Sequence, residues 1–134
     1  MRYLLILIIL VGILHAKEDV KIKISVSSSC KLTTLDRMEI KEIFLKKREY
    51  LDGELIIVLD NPDKLVYRQF VKIYIHKTIR EMKAYWMRML FTGKTIPPEK
   101  LLLTKFNKDN DNMCYISYFR KNTKLKHWKT LEIR

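Results

Sequence analysis

The residues able to do chemistry in this chain are few and scattered. Beyond residues 1–16, which include His15, lie two histidines, His76 and His127. Neither has the H-x-x-x-H or H-E-x-x-H spacing that sets two imidazoles on one helix face to hold a metal. Each reads as a surface or helix-terminal histidine. Serines are common, but no G-x-S-x-G elbow presents one as a nucleophile. Asp109 and Asp111 sit in the oxygen-rich run 107–112, without the central Gly and closing Glu of a calcium loop, so it reads as a solvated turn. With 3 Gly in 134 residues, neither G-x-G-x-x-G nor G-x-x-x-x-G-K-[ST] occurs, which disfavours most nucleotide-driven enzymes. No catalytic residues, metal or cofactor are expected.

Cys30 and Cys114 are the exception to this blandness. A catalytic thiol needs an activating base nearby, and the sequence shows none. An even cysteine count in an exported protein permits a bridge. A bridge here would enclose most of the chain and stabilise it by about 4 kcal/mol through loop entropy. Spacing alone leaves open whether the two sulfurs meet.

The N-terminus sets the compartment. Met1-Arg2 precedes the apolar run 3–14, then His15-Ala16, then the polar residues Lys17, Glu18 and Asp19. The apolar run is shorter than the roughly 20 residues of a spanning helix. Residues 1–16 therefore read as a secretory signal peptide cut after Ala16, with an uncleaved membrane anchor as the alternative. No stable membrane span is expected after cleavage, and the location is periplasmic or otherwise secreted. Residues 17–134 form one domain. Lys+Arg number 27 against 15 Asp+Glu, a net charge of +12, of which only one unit (Arg2) lies in the signal. Such a balance ordinarily suggests nucleic acid, but export argues against that partner. Small anions, acidic proteins, membrane surfaces and a merely Lys-rich solvated surface remain.

Several elements can be read from pattern. Residues 20–27 alternate apolar and polar, as a strand with one buried face does. Asp36 and Glu39 form a capping box for a helix running to about Lys47 through Ile40, Ile43 and Phe44. Asp52-Gly53 marks a turn, and residues 54–59 read as a buried strand. Asn61-Pro62 suggests a cap followed by proline at the first helical position. The helix after it would carry a stripe of Leu65, Val66, Phe70 and Val71. Thr78 and Glu81 open a further helix lined by Ile79, Met82, Trp86, Met89 and Leu90, which stops at Gly93. Residues 113–119 read as a strand and 131–133 as a short final one. The order β, α, β, α, α, β, β implies an α/β domain with a mixed sheet flanked by helices.

Three blocks then stand out: Thr34 to Lys47 (TLDRMEIKEIFLKK), Tyr67 to Phe70 (YRQF), and Ala84 to Lys94 (AYWMRMLFTGK) followed by Pro97-Pro98. With the closing strand Met113 to Tyr118, they resemble the phosphate-type periplasmic substrate-binding proteins of ABC transporters, in particular the small single-lobe members. The third block is the most specific. The resemblance implies a single lobe of the type II periplasmic-binding-protein fold. It also implies that strands 20–27 and 113–119 lie side by side and antiparallel, which would place Cys30 and Cys114 near one end and favour a disulfide. The function it implies is non-enzymatic binding of phosphate or a similar small anion, with contacts from Ser27, Ser28, Thr33, Thr34 and Arg68. Hydroxyls would donate hydrogen bonds, and the guanidinium a charge-assisted contact.

The departures from the family are specific too. Where phosphate binders have a Ser-Gly-Thr loop ahead of the R-x-x-F helix, this chain has Asp63-Lys-Leu-Val-Tyr-Arg68. Lys46 and Tyr115 replace family glycines. The alternative reading is therefore a periplasmic interaction module that keeps the fold, has lost the anion site, and docks on an envelope membrane protein such as a sensor, transporter or porin.

Overall fold

The computed structural model describes residues 19–102 and 113–134. Residues 1–16, read above as a signal peptide, and residues 107–112, read as a solvated turn, lie outside the described residues. The described chain is mixed α/β, with three α-helices on a mixed sheet.

The centre of the sheet is built from the three long strands that the sequence pattern marks: β1 (Ile22–Ser27), β4 (Glu54–Asp60) and β6 (Cys114–Arg120). β6 lies between the other two, antiparallel to β1 with Ser25 opposite Ser117, and parallel to β4 with Ile56 opposite Cys114. The side-by-side antiparallel placement of β1 and β6 agrees with expectation. Short strands finish the edges. β3 (Tyr50–Leu51) makes a hairpin with β4 through Asp52 and Gly53, both at positive φ as the tight twisted turn requires. β5 (Glu99–Lys100) pairs parallel with the end of β4. β7 (Trp128–Thr130) pairs with β1, and β8 (Glu132–Ile133) pairs parallel with β2 (Thr34–Leu35) in a separate small ladder.

β1 departs from its alternation. Not only Ile24 and Val26 but also Ser25 and Ser27 are buried. Flanked by β6 and β7, the strand is covered on both faces; the small serine side chains fit the second face, and the Ser27 hydroxyl is hydrogen-bonded there.

The helices cap as the sequence indicates. In α1 (Arg37–Phe44), Asp36 accepts from the Glu39 N–H at 2.8 Å and Glu39 accepts from the Asp36 N–H at 2.9 Å. The helix stops before the expected Lys47, because Lys46 turns the chain at φ 55°. α2 (Lys64–Phe70) is capped by Asp63, not by Asn61, and runs on into a π-helical turn, Val71–Ile75, that ends on His76 at φ 59°. Pro62 therefore precedes the helix. Asn61 has other work: its amide donates to the Tyr118 carbonyl and its oxygen accepts from the Asp63 N–H. The inward residues of α2 are Val66 and Phe70, continued by Val71, Tyr74 and Ile75 in the π-helical turn, while Leu65 lies on the solvent side at 55% exposure. In α3 (Ile79–Phe91), Met82, Tyr85 and Trp86 face inward, and Leu90 falls outside the stripe. Gly93 ends it at φ 65°.

The core lies between the sheet and these helices. Its centre is aromatic. The Phe70 ring stacks on Tyr118 at 3.9 Å between centroids, and Phe44 meets both, at 4.5 Å from Phe70 and 5.5 Å from Tyr118. One ring each from α1, α2 and β6 thus fixes both helices on the central strand. Tyr85 adds a buried tie from α3, donating at 2.7 Å to the Leu45 carbonyl at the end of α1.

Candidate functional site

Strand direction separates the chemistry into two ends. β4 and β6 run parallel, so both start at the Cys114 end and both finish at the end where α2 begins. Seven residues of β4 place these ends about 20 Å apart.

At the starting end, Cys30 and Cys114 are joined as a disulfide, both sulfurs buried, across 84 residues of chain. Ser27 sits beside it, its hydroxyl donating to the Met113 carbonyl at 3.0 Å and accepting from the Tyr115 N–H at 3.0 Å. The Glu54 carboxylate lies 3.5 Å from the Cys30 sulfur and accepts from the Lys31 N–H at 3.1 Å. Cys30, Glu54 and Cys114 are close enough to share an ion, but the joined sulfurs offer no thiolate to hold one.

The residues that the resemblance assigned to an anion are spread over separate elements. Ser27 ends β1 at the disulfide end, and Ser28 after it is exposed with its N–H on the His127 carbonyl. Thr33 and Thr34 belong to the β2–β8 ladder, where the Thr33 carbonyl accepts from Glu132. Arg68 is exposed on α2. His76 and His127 are exposed at chain reversals, both with positive φ.

The polar concentration is at the other end, where β4 stops and α2 starts. A recess of ≈ 230 Å³ lies there, between Asn61 and Lys64 at the start of α2, Trp86 of α3, and Pro97-Pro98. Asp60, Tyr67 and Lys100 also line it. Asp60 ends an apolar strand and inherits that strand's burial. Desolvation pushes its carboxyl up to about 6, against the pull of the Tyr118 hydroxyl, which donates to it at 2.9 Å, and of Lys100 and Lys46. Burial and the Asp60 charge in turn push the Tyr67 phenol up to about 12 and raise Tyr118 further. The group is an acid poised near neutrality with two hydroxyls that stay protonated. Such a group can hold and orient hydrogen-bonding partners.

Beside the recess, the α2 N-terminus is already occupied. One oxygen of the Asp63 carboxylate accepts from the Leu65 N–H at 2.9 Å and the Val66 N–H at 3.4 Å. The other accepts from the Arg120 guanidinium at 3.1 and 3.3 Å. The Arg120 bond, ahead of the backbone N–H groups, lowers the Asp63 pKa. Helix N–H groups and a fork of guanidinium donors are what would bind a free anion. Here the chain supplies that anion itself.

Asp60 was not singled out by motif. The readable signal was positional: an acid closing an apolar strand at its carboxyl end, where open α/β sheets place their ligands. Arg120 carried no signal, because its partner is 57 residues away.

No family model matches this chain, and no curated protein matches it.

Proposed function

We propose that the chain is an exported, non-enzymatic domain built like one lobe of a phosphate-type periplasmic binding protein, which has lost its anion site and acts as an interaction module in the envelope. One observation carries this reading. The Asp63 carboxylate, held by two α2 N–H groups and Arg120, stands at the helix start where the resemblance would put the ligand. A bound carboxylate repels a second anion and uses the donors that would receive it. The missing Ser-Gly-Thr loop points the same way, as does the scattering of Ser27, Ser28, Thr33, Thr34 and Arg68.

The compartment fits. A disulfide persists in oxidising surroundings, and among the described residues no helix is long and apolar enough to cross a membrane. The partner would be a membrane protein of the envelope such as a sensor, transporter or porin. Affinity capture from envelope extract tests this: a reproducible membrane-protein partner is expected, and repeated capture with none would contradict it. Phosphate binding by the recess, where Lys64 and Lys100 offer positive charge, is the competing reading, and direct titration decides it.

A further inference from the structure

We infer that the outer face of α3 is a docking surface for a bilayer of anionic phospholipid. This goes beyond the function proposed above and holds whether or not the recess binds a ligand. The inward face of α3 is used up by Met82, Tyr85 and Trp86. Towards its C-terminal end the outward face is apolar where a soluble helix would be polar. Met87, Leu90 and Phe91 are 58%, 53% and 85% exposed. Met87 and Phe91 lie four residues apart on the outermost line, with Leu90 beside them.

Among the charged residues of α3 and the turn after it, bases outnumber acids. Arg80, Lys83, Arg88 and Lys94 are all exposed on α3 or just past it. The helix has one acid, Glu81, whose carboxylate sits at the opposite end of the helix from Phe91 and closes the capping box with Thr78. Long apolar side chains inside a ring of lysine and arginine are the pattern of a helix that lies in a membrane interface. The cations attract acidic headgroups, and Phe91 and Leu90 enter the acyl boundary. The face is a convex helix ridge, not a groove. A folded protein would need a matching concave apolar slot ringed by carboxylates, whereas an acidic bilayer supplies both negative charge and apolar depth without a matched shape.

The test is co-sedimentation of the full chain with vesicles of phosphatidylglycerol and phosphatidylcholine, against vesicles of phosphatidylcholine alone. Binding should require the acidic lipid and weaken at least tenfold between 0.05 and 0.5 M salt, roughly as screening of surface charge demands. L90S/F91S should weaken it at least tenfold, and K83E/K94E likewise. All four positions are exposed, so an unchanged near-ultraviolet dichroism spectrum verifies the fold. Hydrogen exchange on the vesicles should slow in residues 83–94. Because the apolar run 3–14 could itself enter lipid, the variants are decisive. Equal binding by wild type and both variants, binding indifferent to lipid charge, or capture by the α3 face of an acidic protein with no vesicle binding would each overturn the inference.

Discussion

The two ends of β4 solve the same problem in opposite ways. Both must hold β6 against its neighbours. The end at Glu54 uses a covalent bond, Cys30–Cys114, with Ser27 stitching β1 to β6 beside it. The end at Asp60 adds polar groups to the Tyr118–Phe70 stack: a partly buried acid under Tyr118, Asn61 on the Tyr118 carbonyl, and Asp63 between α2 and Arg120. The covalent end acts mainly by restricting the unfolded chain and answers to redox conditions. The polar end acts in the folded state and answers to pH and salt. Structure that resists change and structure that could respond to surroundings are thus separated by the length of one strand.

The largest effect should come from breaking the covalent end. C30A/C114A is expected to cost about 4 kcal/mol, a fall in Tm of more than ~10 °C. Thermal unfolding monitored by dichroism measures it. A drop of only a degree or two would mean that the polar end already holds the strands.

The next effect belongs to Asp60, whose folded pKa is about 6 against 3.8 in the unfolded chain. Above pH 6 the folded protein must keep a buried carboxylate charged. Between pH 6 and 4 the folded state takes up a proton that the unfolded state does not, so stability should rise as pH falls, by up to about 3 kcal/mol. D60N should flatten that slope, as urea unfolding at a series of pH values would show. Asp63, whose pKa is lowered, works in a separate window: its contribution is present above pH 4 and is lost below it.

Smaller changes are expected at the cap. D63A removes an N-cap and an exposed ion pair, a loss of about 1 kcal/mol, while R120A should cost well under that because the pair is open to water. If R120A equalled or exceeded D63A, Arg120 rather than the helix start would be the main partner of the carboxylate. The smallest effect should be a gain. Lys46 sits at φ 55°, a conformation natural to glycine, so K46G should stabilise by a few tenths to about 1 kcal/mol in the same urea assay.

The same contrast explains what the sequence revealed. Capping boxes at Asp36 and Thr78, the turn at Asp52-Gly53, and the three long strands are local patterns, and each was legible. The disulfide was legible only through the order of strands that the resemblance implied. The short strands β2, β3, β5 and β7 were not, because two or three residues carry no period, and pairing alone makes them strands. Leu65 and Leu90 were assigned inward because apolar character was read as burial. The polar cluster at the Asp60 end was the least legible part. Asp60, Tyr118 and Arg120 come from segments some 57 residues apart. Only the parallel register of β4 and β6 brings them together. The proline after Asn61 misled for a related reason: Asn61 spends its amide on the distant Tyr118 carbonyl, so the cap passes to Asp63.

The most direct measurement is calorimetric titration of the purified chain with phosphate at low salt. With Asp63 already seated on the α2 N–H groups and Arg120, no heat is expected up to millimolar phosphate. Micromolar binding that Asp63 fails to block would contradict the loss of the anion site and return the domain to the phosphate receptors.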